Sequence, residues 1–138
     1  MRHMVFVCAV ATLVLAMPVW AQKSATPSET SPDVLKEKLE NGERILLIDV
    51  RSNEELNTAS IPGAIHIPMA QLSARMKDVP QGVQIVFTSS RGGRGSRAAK
   101  LFNKRGYVTA TFAALNDWKV RGYETEPVKE APPGAIKP

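Results

Sequence analysis

Between Thr88 and Ser96 the chain reads Thr-Ser-Ser-Arg-Gly-Gly-Arg-Gly-Ser, a stretch crowded with hydroxyls, guanidinium groups and unusually free backbone. Glycines allow successive backbone N–H groups to turn inward as a nest, and a helix beginning just beyond adds the positive end of its dipole. Arginines at the rim can add charge-assisted hydrogen bonds to an oxyanion seated in such a cup. Ser89, Ser90, Arg91, Gly92, Gly93, Arg94 and Gly95 are therefore the candidate anion-binding residues. The expected ligand is a small oxyanion or an acidic group on a partner protein. The ordinary alternative is a mobile surface loop. A nucleotide-binding Walker loop is excluded, because no Gly-Lys-Ser/Thr ends the segment.

Ser89 could act as a nucleophile only beside a general base. No histidine lies in the loop, and His66 is the one histidine after residue 21. A Ser89–His66 pair oriented by Asp49 is conceivable; the plainer reading of His66 is a hydrogen-bonded structural residue. A second charged cluster, Asp49-Val50-Arg51, follows the apolar run Ile45–Ile48. Asp49 and Arg51 are read either as supporting the same site or as solvated loop charges with a capping role. One histidine and scattered acids give no ligand spacing for a metal, and no motif calls for a cofactor.

The elements that must position these residues emerge from the pattern of apolar residues. Residues 44–50 (RILLIDV) and 83–88 (VQIVFT) are nearly continuous apolar or β-branched runs, which suits strands covered on both faces in a parallel sheet. Ser31-Pro32-Asp33 opens a helix over 32–41, with Val34, Leu35 and Leu39 on one face and Asn41-Gly42 closing it. Further helical patterns occupy 54–58, 69–76, 95–105 and 115–121, with weaker extended stretches at 64–67 and 107–112. The alternation predicts an α/β fold: a small, mostly parallel sheet with helices on both faces. Ligands gather in such folds where strands end and helices begin, which is where both charged clusters fall.

At 138 residues the chain has room for one domain. Arg2 and His3 precede an apolar run from Val5 to Met17 and then Val19-Trp20-Ala21, the layout of a secretory signal peptide cleaved after Ala21. The run falls short of the roughly 20 apolar residues of a membrane-spanning helix, so no membrane contact is expected after cleavage. The expected organisation is a signal peptide over 1–21, a flexible linker over 22–31, the domain over 32–124 and a flexible proline-rich tail over 125–138. The exported protein would be periplasmic or secreted. Cys8 is the single cysteine, so removal of residues 1–21 leaves no thiol for disulfides, metal thiolates or persulfides. That removal also takes one cation, Arg2, and no acid, lowering the formal charge from +5 to +4. The charge is unevenly spread: no acid occurs between Asp78 and Asp117, where Arg91, Arg94, Arg97, Lys100, Lys104 and Arg105 all lie. Nucleic acid is not an expected partner, since few aromatic residues interleave with these charges.

Three separated stretches resemble the rhodanese-like domain family. Leu47-Ile48-Asp49-Val50-Arg51-Ser52-Asn53-Glu54-Glu55-Leu56, continuing to Ile61-Pro62-Gly63-Ala64-Ile65-His66-Ile67-Pro68, is similar to the family's N-terminal signatures. Ile85-Val86-Phe87-Thr88 looks like the strand before its active-site loop, which would span Ser89 to Arg94. Ala98, Ala99, Leu101, Gly106 and Tyr107 are similar to the family's helix after that loop and the Gly-Tyr beyond it. The resemblance covers residues 35–123, and an exported single domain of this size is similar to the phage-shock type of periplasmic rhodanese. It implies a rhodanese-like fold and relates the chain to thiosulfate sulfurtransferases, in which a loop cysteine carries sulfur as a persulfide. Ser89 falls at that cysteine's position and Arg94 at that of the loop arginine. Ala59-Ser60 replaces the usual Gly-His, and Ala113-Ala114 the usual Gly-Gly. Serine cannot carry a persulfide. The resemblance thus implies a domain without sulfurtransferase activity that binds a small oxyanion (thiosulfate, sulfite, sulfate or phosphate) or an acidic group of a partner protein. The alternative is a residual sulfurtransferase or a hydrolase using Ser89.

Overall fold

The computed structural model describes residues 27–107, 110–131, 134 and 136. The expected signal peptide lies outside them. Five strands form one sheet in the order β4-β3-β1-β2-β5, made of β1 (Ile45–Asp49), β2 (Ile65–His66), β3 (Gln84–Ser89), β4 (Ala110–Ala114) and β5 (Lys129–Glu130). All the pairings are parallel. Four helices connect them: α1 (Pro32–Glu40), α2 (Met69–Arg75), α3 (Gly93–Lys104) and α4 (Leu115–Val120).

Burial explains why β1 and β3 read as almost unbroken apolar runs. Leu46, Ile48, Ile85 and Phe87 face one side, where Leu72 of α2 and Ala98, Ala99 and Phe102 of α3 cover them. Leu47 and Val86 face the other, against Leu35 of α1 and Leu115 and Trp118 of α4. A strand sandwiched in this way has no polar face, so period-two alternation is lost. The α/β fold with helices on both sheet faces is thus as expected.

α1 begins as its sequence predicts, with Ser31 Oγ accepting from the Val34 amide and Pro32 at the first helical position. Its buried face runs through Leu35 and half-buried Leu39, whereas Val34 remains 45% exposed. Residues one apart on a helix are separated by about 100°, so Val34 and Leu35 cannot both face the sheet. The expected helix over 54–58 is a 3-10 turn, Asn53–Asn57, opened by a reciprocal Ser52–Glu55 capping box. Five residues close only a few turn bonds, and the tighter winding suits so short a piece.

The structure revises the expectation of a flexible linker and tail for the residues described. Residues 27–30 lie along the free edge of β4, where the Thr30 amide donates to the Phe112 carbonyl (2.8 Å) and the Phe112 amide to the Ser28 carbonyl (3.3 Å). At the opposite edge, β5 pairs in parallel with β2, Ser60 and Glu126 exchange backbone bonds, and Ala131 and Ile136 enter the core. Both edges would otherwise leave backbone donors and acceptors unpaired. Ladder bonds of this kind are blind to side-chain type, so polar, proline-rich segments make them without any hydrophobic period.

Candidate functional site

Ser89 is the last residue of β3, and the loop after it leads straight into α3. Its side chain is almost fully buried, 1% exposed, and Oγ accepts from the Gly95 amide at 3.1 Å. The Gly92 amide turns back to the Ser89 carbonyl (3.4 Å) and the Ser96 amide to the Gly92 carbonyl (2.7 Å). The Asn116 amide, in the first turn of α4, supports the loop from outside by donating to the Ser90 carbonyl (2.9 Å). Gly93 and Arg94 open α3, where the amides of a first turn have no carbonyl of their own helix to bond.

Glycine is required at two of the three loop positions, for different reasons. Gly92 has φ +78° and lies against the Phe112 ring, which a Cβ would approach to 3.2 Å. Gly95 has ordinary helical φ but passes so close to β3 that a Cβ would sit 2.8 Å from the Phe87 carbonyl oxygen. Gly93 faces open space.

An open cleft of about 730 Å³ lies over this loop. Ser89, Ser90, Arg91, Gly93 and Arg94 line it, while Gly92 and Gly95 are buried beneath. Three more residues line it that the sequence motifs do not mark as site residues: Glu55, Arg97 and Asn116. Glu55 matters most. Its carboxylate takes a two-pronged ion pair from Arg94, with N–O distances of 2.5 and 2.6 Å, and accepts from Ser90 Oγ (3.3 Å). The Arg94 bonds, then the Ser52 amide, hold the Glu55 carboxyl far below the usual carboxylate range, and Glu55 in turn raises Arg94. Arg94 is therefore already neutralised, and the unpaired positive charge over the cleft belongs to exposed Arg91 and Arg97. The sequence does carry a signal for Glu55: Ser52-x-x-Glu55 is capping-box spacing, which anchors the acid near its turn.

Asp49 and Arg51 are brought together but not into the cleft. Both are buried, 0% and 2% exposed, which removes the reading as solvated loop charges. Arg51 Nε lies 3.0 and 2.9 Å from the two Asp49 oxygens, and its other nitrogens reach Thr58 Oγ1 (2.7 Å), the Thr58 carbonyl (3.2 Å) and the Glu55 carbonyl (3.3 Å). Ser60 Oγ donates to Asp49 at 2.7 Å, so this position joins the same network. The pair supports the site indirectly, by fixing the turn that carries Glu55. His66 Nε2 donates to the Arg51 carbonyl (2.8 Å) and sits on β2, which β1 separates from β3. The conceivable Ser89–His66 pair is not formed.

Ala114 lies beside Ser89 in the β3–β4 register, and its methyl carbon is 3.7 Å from where a Gly92 Cβ would be. Among the described residues no group of histidines, cysteines and acids could hold a metal, and no helix is long and apolar enough to cross a membrane.

The model of the rhodanese-like domain family matches residues 31–119. The chain belongs to the rhodanese-like domain family. This rhodanese-like chain is 36% identical over 81 residues to YtwF of Bacillus subtilis, a match covering 59% of the chain and 79% of YtwF. It is 32% identical over 111 residues to the human thiosulfate:glutathione sulfurtransferase, covering 69% of the chain and 95% of that enzyme. YrkF of Bacillus subtilis is 28% identical over 100 residues (71% of the chain), and the match spans only about half of YrkF, 54%. Among solved structures, the Alr3790 protein of Anabaena superposes with a TM-score of 0.65 at 27% identity, covering 72% of the chain and 80% of that protein.

Proposed function

We propose that this rhodanese-like domain is an exported, non-catalytic member of its family, of the phage-shock type, in which Ser89 stands at the sulfur-carrying cysteine's position. Its cleft then binds thiosulfate, sulfite, sulfate or phosphate, or an acidic group of a partner protein. The observation that carries the reading is Ser89 itself, buried at the floor of the cleft with Oγ held by the Gly95 amide and with the one described histidine bonded elsewhere. A hydroxyl without a base stays protonated and can donate to an anion, but it carries no sulfur. With residues 1–21 removed, the sequence retains no cysteine to substitute for it. Exposed Arg91 and Arg97 and the first-turn amides of α3 supply the positive end of the site.

Calorimetric titration with the four anions tests this reading. Binding of at least one, weakened in Arg91→Ala, is expected; no binding of any overturns it. The sulfurtransferase name of the human relative supports a second reading, residual transfer. A thiosulfate-to-cyanide assay separates the two: the chain is expected to be inactive and Ser89→Cys to gain activity, whereas turnover by the natural chain that is lost in Ser89→Ala establishes an enzyme.

A further inference from the structure

α3 has a buried face of Gly95, Ala98, Ala99 and Phe102 and an opposite face of Arg97, Lys100 and Lys104, at the i, i+3 and i+7 positions that form one helical stripe. All three cations lie on the outer side of the helix, with Arg91 at the cleft mouth and Arg105 at the helix end. Among the described residues none of these five belongs to an ion pair; Arg44, Lys77, Lys119 and Lys129 belong to none either, but they are scattered elsewhere in the fold and form no stripe. Unpaired positive charge thus runs without interruption from the cleft, which Arg97 also lines, down the outside of α3.

We infer that this stripe is a docking surface for an acidic, extended polypeptide segment of a partner protein, which lays carboxylates along α3 and presents an anionic group to the cleft. The inference deepens the proposed reading of the cleft and rests on it for that last step. Spacing favours such a segment: Lys100 and Lys104 are about 6 Å apart along the helix, and side chains on one face of an extended strand recur about every 6.6 Å. Acids two residues apart would therefore meet Lys100 and Lys104, while Arg97, about 4.5 Å from Lys100 along the axis, lies within reach of the same flexible side chains. A membrane surface fits less well, because the exposed large apolar side chains, Val34 and Val120, lie on α1 and α4 across the sheet. A single-stranded nucleic acid fits less well too, because Phe102 and Tyr107 are buried and cannot stack with bases.

The test is fluorescence anisotropy of a labelled oligoglutamate peptide against the full chain, beside calorimetric titration with thiosulfate and sulfate. Lys100→Glu with Lys104→Glu reverses charge at exposed positions away from the cleft, and an unchanged unfolding midpoint verifies the fold. The expected result is salt-sensitive peptide binding that the double variant weakens by about tenfold or more, with small-anion affinity unchanged. Undiminished peptide binding in the double variant, or no peptide binding by the natural chain, overturns the inference. Tighter binding to phosphatidylglycerol vesicles or to an oligonucleotide overturns it in favour of those partners. Loss of small-anion binding alone, with the peptide result intact, refutes the cleft reading and leaves the stripe standing.

Discussion

Replacing Gly95 with alanine sets two physical effects against each other. Gly95 is in the first turn of α3, and alanine in a helix is favoured over glycine by up to about 1 kcal/mol. Its Cβ would, however, meet the Phe87 carbonyl oxygen at 2.8 Å and Phe112 Cβ at 3.2 Å. The first contact is with backbone in the middle of the sheet, so relief requires α3 to move away from β3. Overpacking of this kind costs about 1–3 kcal/mol, and displacement of the Gly95 amide from Ser89 Oγ adds about 1 kcal/mol more. The net expectation is a loss of about 1–3 kcal/mol, which at an m-value of about 1.5 kcal/mol/M lowers the urea midpoint by about 1–2 M. Gly93→Ala, two residues earlier and facing open space, isolates the propensity effect and is expected to be neutral or to raise the midpoint slightly. Equilibrium urea unfolding of both variants beside the natural chain decides the matter. If Gly95→Ala is as stable as Gly93→Ala, the close approach of α3 to β3 is not what demands glycine, and the reasoning fails.

Arg51→Met leaves the buried Asp49 carboxylate with Ser60 Oγ and the backbone amide of residue 51 as its partners, and is expected to cost about 3–5 kcal/mol by the same unfolding assay. Thr88→Val removes a fully buried hydroxyl that has no hydrogen-bond partner among the described residues and is expected to stabilise by about 1 kcal/mol, read as a raised midpoint. Glu55→Gln frees the Arg94 guanidinium, so small-anion affinity measured by calorimetry is expected to rise severalfold. The Glu55 carboxyl is depressed in the folded state, so the stabilisation from its ion pair is complete above about pH 4.5, its ordinary value, and fades as pH falls further. Acid unfolding of Glu55→Gln is therefore expected to lack that part of the acid sensitivity, and an unchanged profile would show that the pair contributes nothing.

Much of the domain can be read directly from the chain because its signals are local. Continuous apolar runs mark β1 and β3, the Ser31-Pro32 pair marks the start of α1, and the glycine-rich stretch after Thr88 marks the strand-to-helix junction. What could not be read depends on contacts distant in sequence. Nothing in Gly92, Gly93 and Gly95 as letters distinguishes a left-handed residue, a free one and one pressed against β3; Phe112 and the Phe87 carbonyl make that distinction. Arg94 looks like an available cation until Glu55, on a different turn, is found holding it. Asp49 and Arg51 look like loop charges until the 52–60 turn folds over them. The docking of residues 126–131 is carried by backbone bonds, which leave no mark on side-chain composition.

That last feature bears on how the protein is made. β2 contributes only two residues to the sheet, and its outer edge is covered by a strand that comes more than sixty residues later. A chain that enters its folding compartment N-terminus first and has arrived as far as α4 has the residues of β1, β3 and β4 but cannot yet seal β2 or place Ala131 and Ile136 in the core. Completion of the fold is therefore deferred until residue 136 has arrived, and until then the bare edge is open to pairing with another chain.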